Sequence, residues 1–562
     1  MVLKDGQAPY DLAEVQFFNQ YDTLAAVKRL ADSENLAIFC GAGLTIDRTG
    51  QSWGALVSRL LTDRGKIPPG DVSDQDAQNV CAILEPLHVA SVVSHYLREN
   101  ADDDGKMESA LHTSLQSHLY PLSDWAAGRL VDNVIRLAIA RARKHLAITL
   151  ITTNYDTSLE EQFRNQREEE RARIASDVPF PFLFVRVVGA PVAPRLDIEG
   201  TKGCGAVKLI YLHGRVPREG DVVGKVAFSE QNYLSTRSVV ERKLGSVFAK
   251  NDLLILGSSL SDPPLMHALL ASQGEARDNS CSRFALLPMP SVPNQGVTMT
   301  RSQGVAVAEH LPARMAEFGV RLLMPDYFSQ VSQFVEEIRV HTSTSRTEDE
   351  YAKRLESWWD AWNSGRDEFD YRRECHEALQ VAVDAIRGEL GYGHRSSSRS
   401  LESLKLEIWA RVPKGPRRRS LELWASSAGV VIDTSNPRWA SLSLVSEFSA
   451  VRAYQGGQPL LTAEPHSTPD TIVRSPKDPR WQTFLSVPIN VDHGHGRLPV
   501  GVVTLASSLG ANKSRIRESR PKRIRLVVKR MQDLGELYLA PIQPREVGGE
   551  TASTPDESGE NV

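Results

Sequence analysis

Paired cysteines are missing. The five cysteines, Cys40, Cys81, Cys204, Cys281 and Cys375, are odd in number and scattered with no C-x-x-C, so neither a disulfide framework nor a four-cysteine structural zinc ribbon is expected. No uninterrupted apolar run approaches the length that spans a bilayer. The start, MVLKDGQAPYDLAEV, lacks the apolar core of a secretory signal. Net charge is also scarce, -4 over 562 residues, which does not indicate a globally nucleic-acid-binding chain. With 41% hydrophobic and 24% charged residues the composition is that of an ordinary globular protein, and the length calls for two or three domains. A cytoplasmic protein without membrane contact is the expectation.

What is present is a series of short apolar runs alternating with helical patterns through the first 340 residues or so. The runs are LAIFC (36–40), ITLIT (148–152), FLFVRVV (182–188), KLIYL (208–212), LLILG (253–257), FALLP (284–288) and VRLLM (320–324). Most are continuously apolar, as strands covered on both faces of a parallel sheet must be. Between them, 125–147 reads as a helix with Leu130, Val131, Val134, Ile135 and Leu137 on one face. The alternation predicts an α/β fold, an open parallel sheet with its ligand at the carboxyl ends of the strands.

Four of these runs end in turn or polar groups. LAIFC passes into Gly41-Ala42-Gly43-Leu44-Thr45, which lacks the third glycine of G-x-G-x-x-G. Asp63 sits near the ribose-binding offset of that fingerprint without an apolar strand before it, so an ordinary hydride-transferring dehydrogenase is poorly supported. Trp53, Leu56, Val57, Leu60 and Leu61 recur at helical spacing, which predicts a loop between turn and helix. ITLIT runs into Thr153-Asn154-Tyr155-Asp156, KLIYL into His213-Gly214, and LLILG, ending in Gly257, into Ser258-Ser259-Leu260-Ser261-Asp262. Each residue also has a plain structural role open to it. Asn154 and Asp156 could cap the helix TSLEEQF, His213 could be a satisfied core histidine, and Asp262 before two prolines could be a helix N-cap with Pro263 at N1.

G-A-G-x-S/T, T-x-N-x-D, a strand-end His-Gly and a later G-S/T-S-L, in this order, resemble the sirtuin family over about residues 20–335. The fuller set T-T-N-Y-D, LHG, Ser229-Glu230-Gln231-Asn232-Tyr233, G-x-S-x-x-D and FGVRLLMP (318–325) is similar to the bacterial sirtuin-like NAD-cleaving branch used in antiviral defence. The deacylases of the family usually carry a four-cysteine zinc module and a G-I-P-D-F-R loop. Here no C-x-x-C exists and the loop reads TIDRTGQSW, which turns the expectation from acyl-lysine chemistry toward NAD+ hydrolysis, with NAD+ as substrate and no zinc or other metal.

The resemblance implies a Rossmann-like sheet that cleaves the nicotinamide–ribose bond through an oxocarbenium-like sugar cation. Backbone N–H groups from Gly41, Ala42 and Gly43 to Thr45 would hold the pyrophosphate, with the Thr45 hydroxyl added. Thr153 would contact the dinucleotide, and beside it Asn154 would orient the ribose or a water. His213, titrating near neutrality, would act as general base, and Asp156 would orient neighbours or stabilise positive charge. Gly257, Ser258, Ser259 and Asp262 would meet the adenosine ribose and phosphates. An NAD-dependent protein deacylase or ADP-ribosyltransferase, and a non-catalytic NAD or ADP-ribose sensor, are the alternatives.

Residues 347–386 are charged and helical in pattern, with Trp358, Trp359 and Trp362 at packing spacing. From about 400, two alternating runs flank Pro-Lys-Gly, a hairpin signature, and WQTFLSVPINV and LPVGVVTLASS add two strands around a Gly-rich turn. These features resemble a GAF domain, a small-molecule-sensing or dimerising module. His493 and His495 in the turn are expected to be solvated. The basic stretch KSRIRESRPKRIRLVVKR (513–530) carries nine basic residues and one acidic but no aromatics for base stacking, so a solvated helix face is expected rather than a nucleic-acid site. The layout expected is a sirtuin-like NAD-binding unit over 1–340, a helical connector over 341–398, an α+β GAF-like sensor or dimerisation unit over 399–541 that takes a small-molecule or protein trigger, and a disordered acidic tail over 542–562. Homo-oligomers are expected because GAF-like domains often pair.

Overall fold

The apolar runs become strands because helices cover both their faces. In the computed structural model of the chain they are β1 (Asn35–Cys40), β2 (Ala147–Thr152), β3 (Phe182–Val187), β4 (Ala206–Tyr211), β5 (Asp252–Leu256), β6 (Arg283–Leu286) and β7 (Arg321–Leu323). The structure describes residues 17–541 apart from 50–51, 63–73, 100–103, 121–128, 174–178, 190–196, 289–300, 345–349, 367–368, 393–401, 430–436, 444–445, 447, 464–479 and 511–512. Asp63, the first residues of the expected 125–147 helix and the acidic tail fall outside that set. The seven strands form one sheet in the order β3-β4-β2-β1-β5-β6-β7, every neighbouring pair parallel. In β1, Leu36, Ile38 and Cys40 enter a core shared with the helices Tyr21–Asp32, Arg129–Arg143 and Ser329–Thr344. Ala37 and Phe39 face the helices Glu230–Phe248 and Pro263–Ala271 on the other side. The expected Rossmann-like α/β architecture is the one adopted. β2, β3 and β4 lie to one side of β1 and β5 to β7 to the other, so the strand order reverses between β1 and β5, where an open α/β sheet places its ligand.

Two local expectations change. The helix expected to reach 147 stops at Arg143, because His145 adopts a left-handed φ of +58° and Ala147 already pairs with Asn35 in the sheet. From Ala42 to Thr49 the stretch is helical rather than a loop. Ala42–Thr45 makes a 3-10 turn, with Ile46 N–H donating to Gly43 O, and Ile46–Thr49 a turn of helix. The helix Trp53–Leu61 follows, its Ser52 side chain accepting from Ala55 N at 3.2 Å. With the helices Pro86–Glu99 and Asp104–Leu119 it builds a separate core against Tyr155, Val216, Val226 and Phe228.

The second half is an antiparallel sheet of β8 (Leu404–Val412), β9 (Ser420–Ser426), β10 (Trp439–Ser441), β11 (Leu460–Ala463), β12 (Thr483–His493) and β13 (Gly496–Ser507), in the order β10-β9-β8-β13-β12-β11. β8 and β9 form the expected hairpin, yet every residue of β8 is buried. Its sequence alternates, but both faces are covered. Leu406, Ile408 and Ala410 pack with the helices Phe369–Glu389 and Pro521–Leu539, and Trp409 packs with the helix Ser449–Gly456. Alternation here marks two unlike neighbours rather than core and water. The tryptophans of the helix Tyr351–Arg366 are packing residues. Trp358 and Trp362 stack at 5.5 Å, and their Nε1 groups donate to Leu539 O and Tyr538 O at 2.8 Å, closing carbonyls that the end of the last helix leaves open. The basic stretch is broken by Pro521 into the helices Arg515–Glu518 and Pro521–Leu539. Ile524, Val527 and Val528 are buried while Leu526 is exposed.

The expectation for His493 is corrected. It is half-buried, its Nε2 lies 3.2 Å from Ser357 Oγ, and burial together with the Arg354 charge pushes its pKa down. Gly496 explains why: a Cβ there would come within 2.6 Å of Val340 and 2.7 Å of Arg354, so the glycines let the turn seat on the helices Ser329–Thr344 and Tyr351–Arg366. No helix among the described residues is long and apolar enough to cross a membrane.

Candidate functional site

The two glycines that open the first turn are required by another strand end. Gly41 N donates to Leu256 O at 2.8 Å and Gly43 N to Gly257 O at 2.7 Å. A Cβ at Gly41 would lie 2.5 Å from Gly257 O, one at Gly43 2.8 Å from Gly257 Cα, and one at Gly257, whose φ is +63°, 2.3 Å from Leu44 N. Three glycines thus let two backbones cross in contact at the β1/β5 reversal. Leu44 N donates to Gly41 O at 3.0 Å, so the N–H groups of Gly41, Gly43 and Leu44, expected to face a pyrophosphate, are held by protein carbonyls in this structure. Ala42 is the exposed residue of the turn.

This crossing predicts that Gly41→Ala costs about 1–3 kcal/mol, since the nearest atoms a Cβ would meet are backbone. Gly245→Ala meets nothing within 4 Å among the described residues and lies inside a helix, so it should hold or gain stability. Urea midpoints of the two variants check this; a wild-type midpoint for Gly41→Ala removes the account.

Behind the turn, Thr45 is 6% exposed and its Oγ1 lies 3.5 Å from Asn154 Nδ2. Asn154 follows β2: Thr153 N donates to Cys40 O at 3.2 Å, and Asn154 N to Thr152 Oγ1 at 3.0 Å. Asn154 is 9% exposed, and its Oδ1 has no hydrogen-bond partner among the described residues. His213 holds the matching place on the next strand. Thr152 is opposite Tyr211, so Asn154 and His213 each stand two residues beyond a paired position. His213 is 6% exposed and its Nδ1 is likewise buried without a partner. Burial lowers its pKa to about 4, correcting the expectation of titration near neutrality: desolvation disfavours the imidazolium, and no carboxylate contributes in the opposite direction.

Asp156 accepts from Ser158 N at 3.0 Å at the start of the helix Ser158–Arg173, and burial raises its pKa. Its carboxylate therefore caps a helix. Asp262 heads the helix Pro263–Ala271 with prolines in the first turn, but its side chain does not cap it. It accepts instead from the Tyr233 hydroxyl, and the Tyr233 ring sits 5.2 Å from that of His213. Tyr233 thereby ties the end of β5 to the end of β4. Its own helix starts at Ser229, whose Oγ accepts from Asn232 N at 3.3 Å. Ser258 Oγ accepts from Leu260 N at 3.1 Å, where Leu260 is bent to a φ of +55°, and the hydroxyls of Ser259 and Ser261 are 2.6 Å apart.

Residues absent from the sequence-based set hold the His213 loop. Arg215 donates from Nε and Nη2 to the two oxygens of Glu160 at 2.7 and 2.9 Å, and Tyr211 Oη donates to the same carboxylate at 2.9 Å. Arg215 also exchanges backbone hydrogen bonds with Val223, and Ala227 N donates to His213 O. Nothing in the sequence announced the pair, because its members lie 55 residues apart. Among the described residues no group of His, Cys, Asp and Glu could hold a metal ion.

A family model described as a SIR2-like domain matches residues 148–307, a span that includes Asn154, His213, Tyr233 and Asp262. No curated protein matches the chain. With the parallel Rossmann-like sheet, the match supports a sirtuin-like domain in the first half of the chain. SIR2-like domains bind NAD, and an NAD-related activity fits this one.

Proposed function

We propose that this unit is an NAD+ glycohydrolase, adding water across the nicotinamide–ribose bond and releasing nicotinamide and ADP-ribose. The observation that carries the reading is the pair of orphaned buried atoms, Asn154 Oδ1 and His213 Nδ1, on adjacent strand ends. A buried polar atom without a partner costs about 1–3 kcal/mol, and ribose hydroxyls or a water would complete both. His213 is neutral at physiological pH, so its ring can accept the proton given up by the attacking water. Asn154, held from Thr45, offers an acceptor oxygen to orient that water or the sugar. Tyr233 and Asp262 fix the flank of the site, and the exposed Ser259 and Ser261 hydroxyls face the solvent beside it. An unregulated NAD+ hydrolase would drain its own cell, so the reading includes an off-state governed by the second half, a GAF-like sensor, in an antiviral response that depletes NAD+.

The test is nicotinamide release by the purified full-length protein from NAD+, with and without an acyl-lysine peptide. Release without the peptide supports hydrolysis. Release only with the peptide, or tight NAD+ binding with no release in an infected-cell extract, overturns it. The pH profile adds a second check. Protonation of His213 removes the base, so kcat/KM should hold from pH 8 down to about 5 and fall as pH drops through about 4. An acid limb near 6.5 would mean that another group carries the proton.

A further inference from the structure

The helical turn Ile46–Thr49 is too short to satisfy its own terminal carbonyls, and a residue from the second half of the chain reaches them. With its amide nitrogen turned inward, Gln458 donates to Ile46 O and to Asp47 O, each at 3.1 Å. Gln458 follows directly on a capped helix end. The helix Ser449–Gly456 ends on Gly457 in the left-handed conformation, with its N–H on Ala453 O, and a Cβ at Gly457 would stand 3.0 Å from Ser329 Cβ. Asp47 in turn caps the helix Arg129–Arg143, its Oδ2 accepting from Leu130 N at 2.8 Å. One turn into that helix Asp132 receives Arg497 of β13 at 3.3 Å and also Gln162 and Gln166 at 2.9 and 3.0 Å, from the helix that begins just after Asn154. Two separate contacts from the second half thus reach the 46–49 turn that follows Thr45 and Asp132, which also holds the helix that follows Asn154.

We infer that Gln458 is a positioning residue for the candidate site: by capping the 46–49 turn from the second half of the chain, it sets the placement of Thr45 and, through Thr45, of the Asn154 side chain. The inference rests on the proposed NAD+ site for its catalytic consequence but not for its structural one. It also gives that site a physical route of regulation, since any ligand or partner that shifts the end of the helix Ser449–Gly456 withdraws the cap.

The experiment uses the full chain and two variants that leave Gly457 untouched. Gln458→Glu keeps the shape and removes the donor, whereas Gln458→Lys keeps a donor of similar reach. With Gln458→Glu, amide hydrogen exchange should quicken across 41–49 and 153–158 while the thermal midpoint stays near wild type, and kcat for nicotinamide release should fall roughly 5- to 10-fold with KM moving less. Gln458→Lys should restore both. Exchange in Gln458→Glu indistinguishable from wild type overturns the inference whatever the turnover. Faster exchange in a protein whose wild type releases no nicotinamide upholds the cap and sinks the hydrolase reading instead.

Discussion

His213→Ala should lower nicotinamide release by about 10²–10⁴-fold, the usual worth of a placed general base, without unfolding the protein. Among the described residues the side chain has no hydrogen-bond partner at Nδ1 and it is buried as a neutral ring, so its removal forfeits packing against Tyr233 but breaks no charge pair there. That combination separates a functional histidine from a satisfied core histidine, whose loss would be felt in stability first. Asn154→Ala should behave alike, since its Oδ1 has no partner among the described residues and its Nδ2 contact with Thr45 is between neutral groups. Turnover assays beside urea midpoints decide it. Undiminished turnover in both variants removes the mechanism, and a collapse in stability with proportionate loss of activity returns both residues to a structural role.

Arg215→Met is expected to have the largest effect on stability. Glu160 is fully buried and among the described residues would keep the Tyr211 hydroxyl and the half-exposed Arg164 at 3.3 Å. Leaving a buried carboxylate without its main partner costs about 3–5 kcal/mol, and the loop from His213 to Phe228 loses the side chain that anchors it to the helix Ser158–Arg173. Glu160→Met added to Arg215→Met should recover part of the loss, because two apolar groups of similar volume replace a desolvated pair. The urea midpoints of the single and double variants test this. A single variant within 1 kcal/mol of wild type would mean that the pair is hydrated rather than buried. His213 should lose activity along with Arg215, since its backbone leaves the same loop.

Alternation of apolar runs and helical patterns was enough to read the parallel α/β sheet. A strand buried on both faces has to be continuously apolar, and that signal is local. The strand-end motifs were legible for the same reason: Asn154 and His213 fall just past runs whose ends are marked by a change from apolar to polar residues. The alternation of β8 identified a hairpin strand but not its burial, because it reflects two different buried neighbours, the helix Ser449–Gly456 on one face and the helices Phe369–Glu389 and Pro521–Leu539 on the other. The helices Trp53–Leu61, Pro86–Glu99 and Asp104–Leu119 were not read as a unit, since what unites them is a core completed by Tyr155 and Val216, distant in the chain.

By itself, then, the order of residues determined the class of fold, the ends of the strands and the short list of polar groups delivered there, because each depends on neighbours a few positions away. Only tertiary structure decided what those groups do to one another. It spent Gly41 and Gly43 on a crossing with Gly257, drew Asp156 to a helix end and Asp262 to Tyr233, lowered the pKa of His213 by burial, and brought Gln458 to the back of the 46–49 turn. Contacts between segments tens to hundreds of residues apart set local dielectric and free or occupied hydrogen-bonding capacity, and neither leaves a mark on sequence spacing.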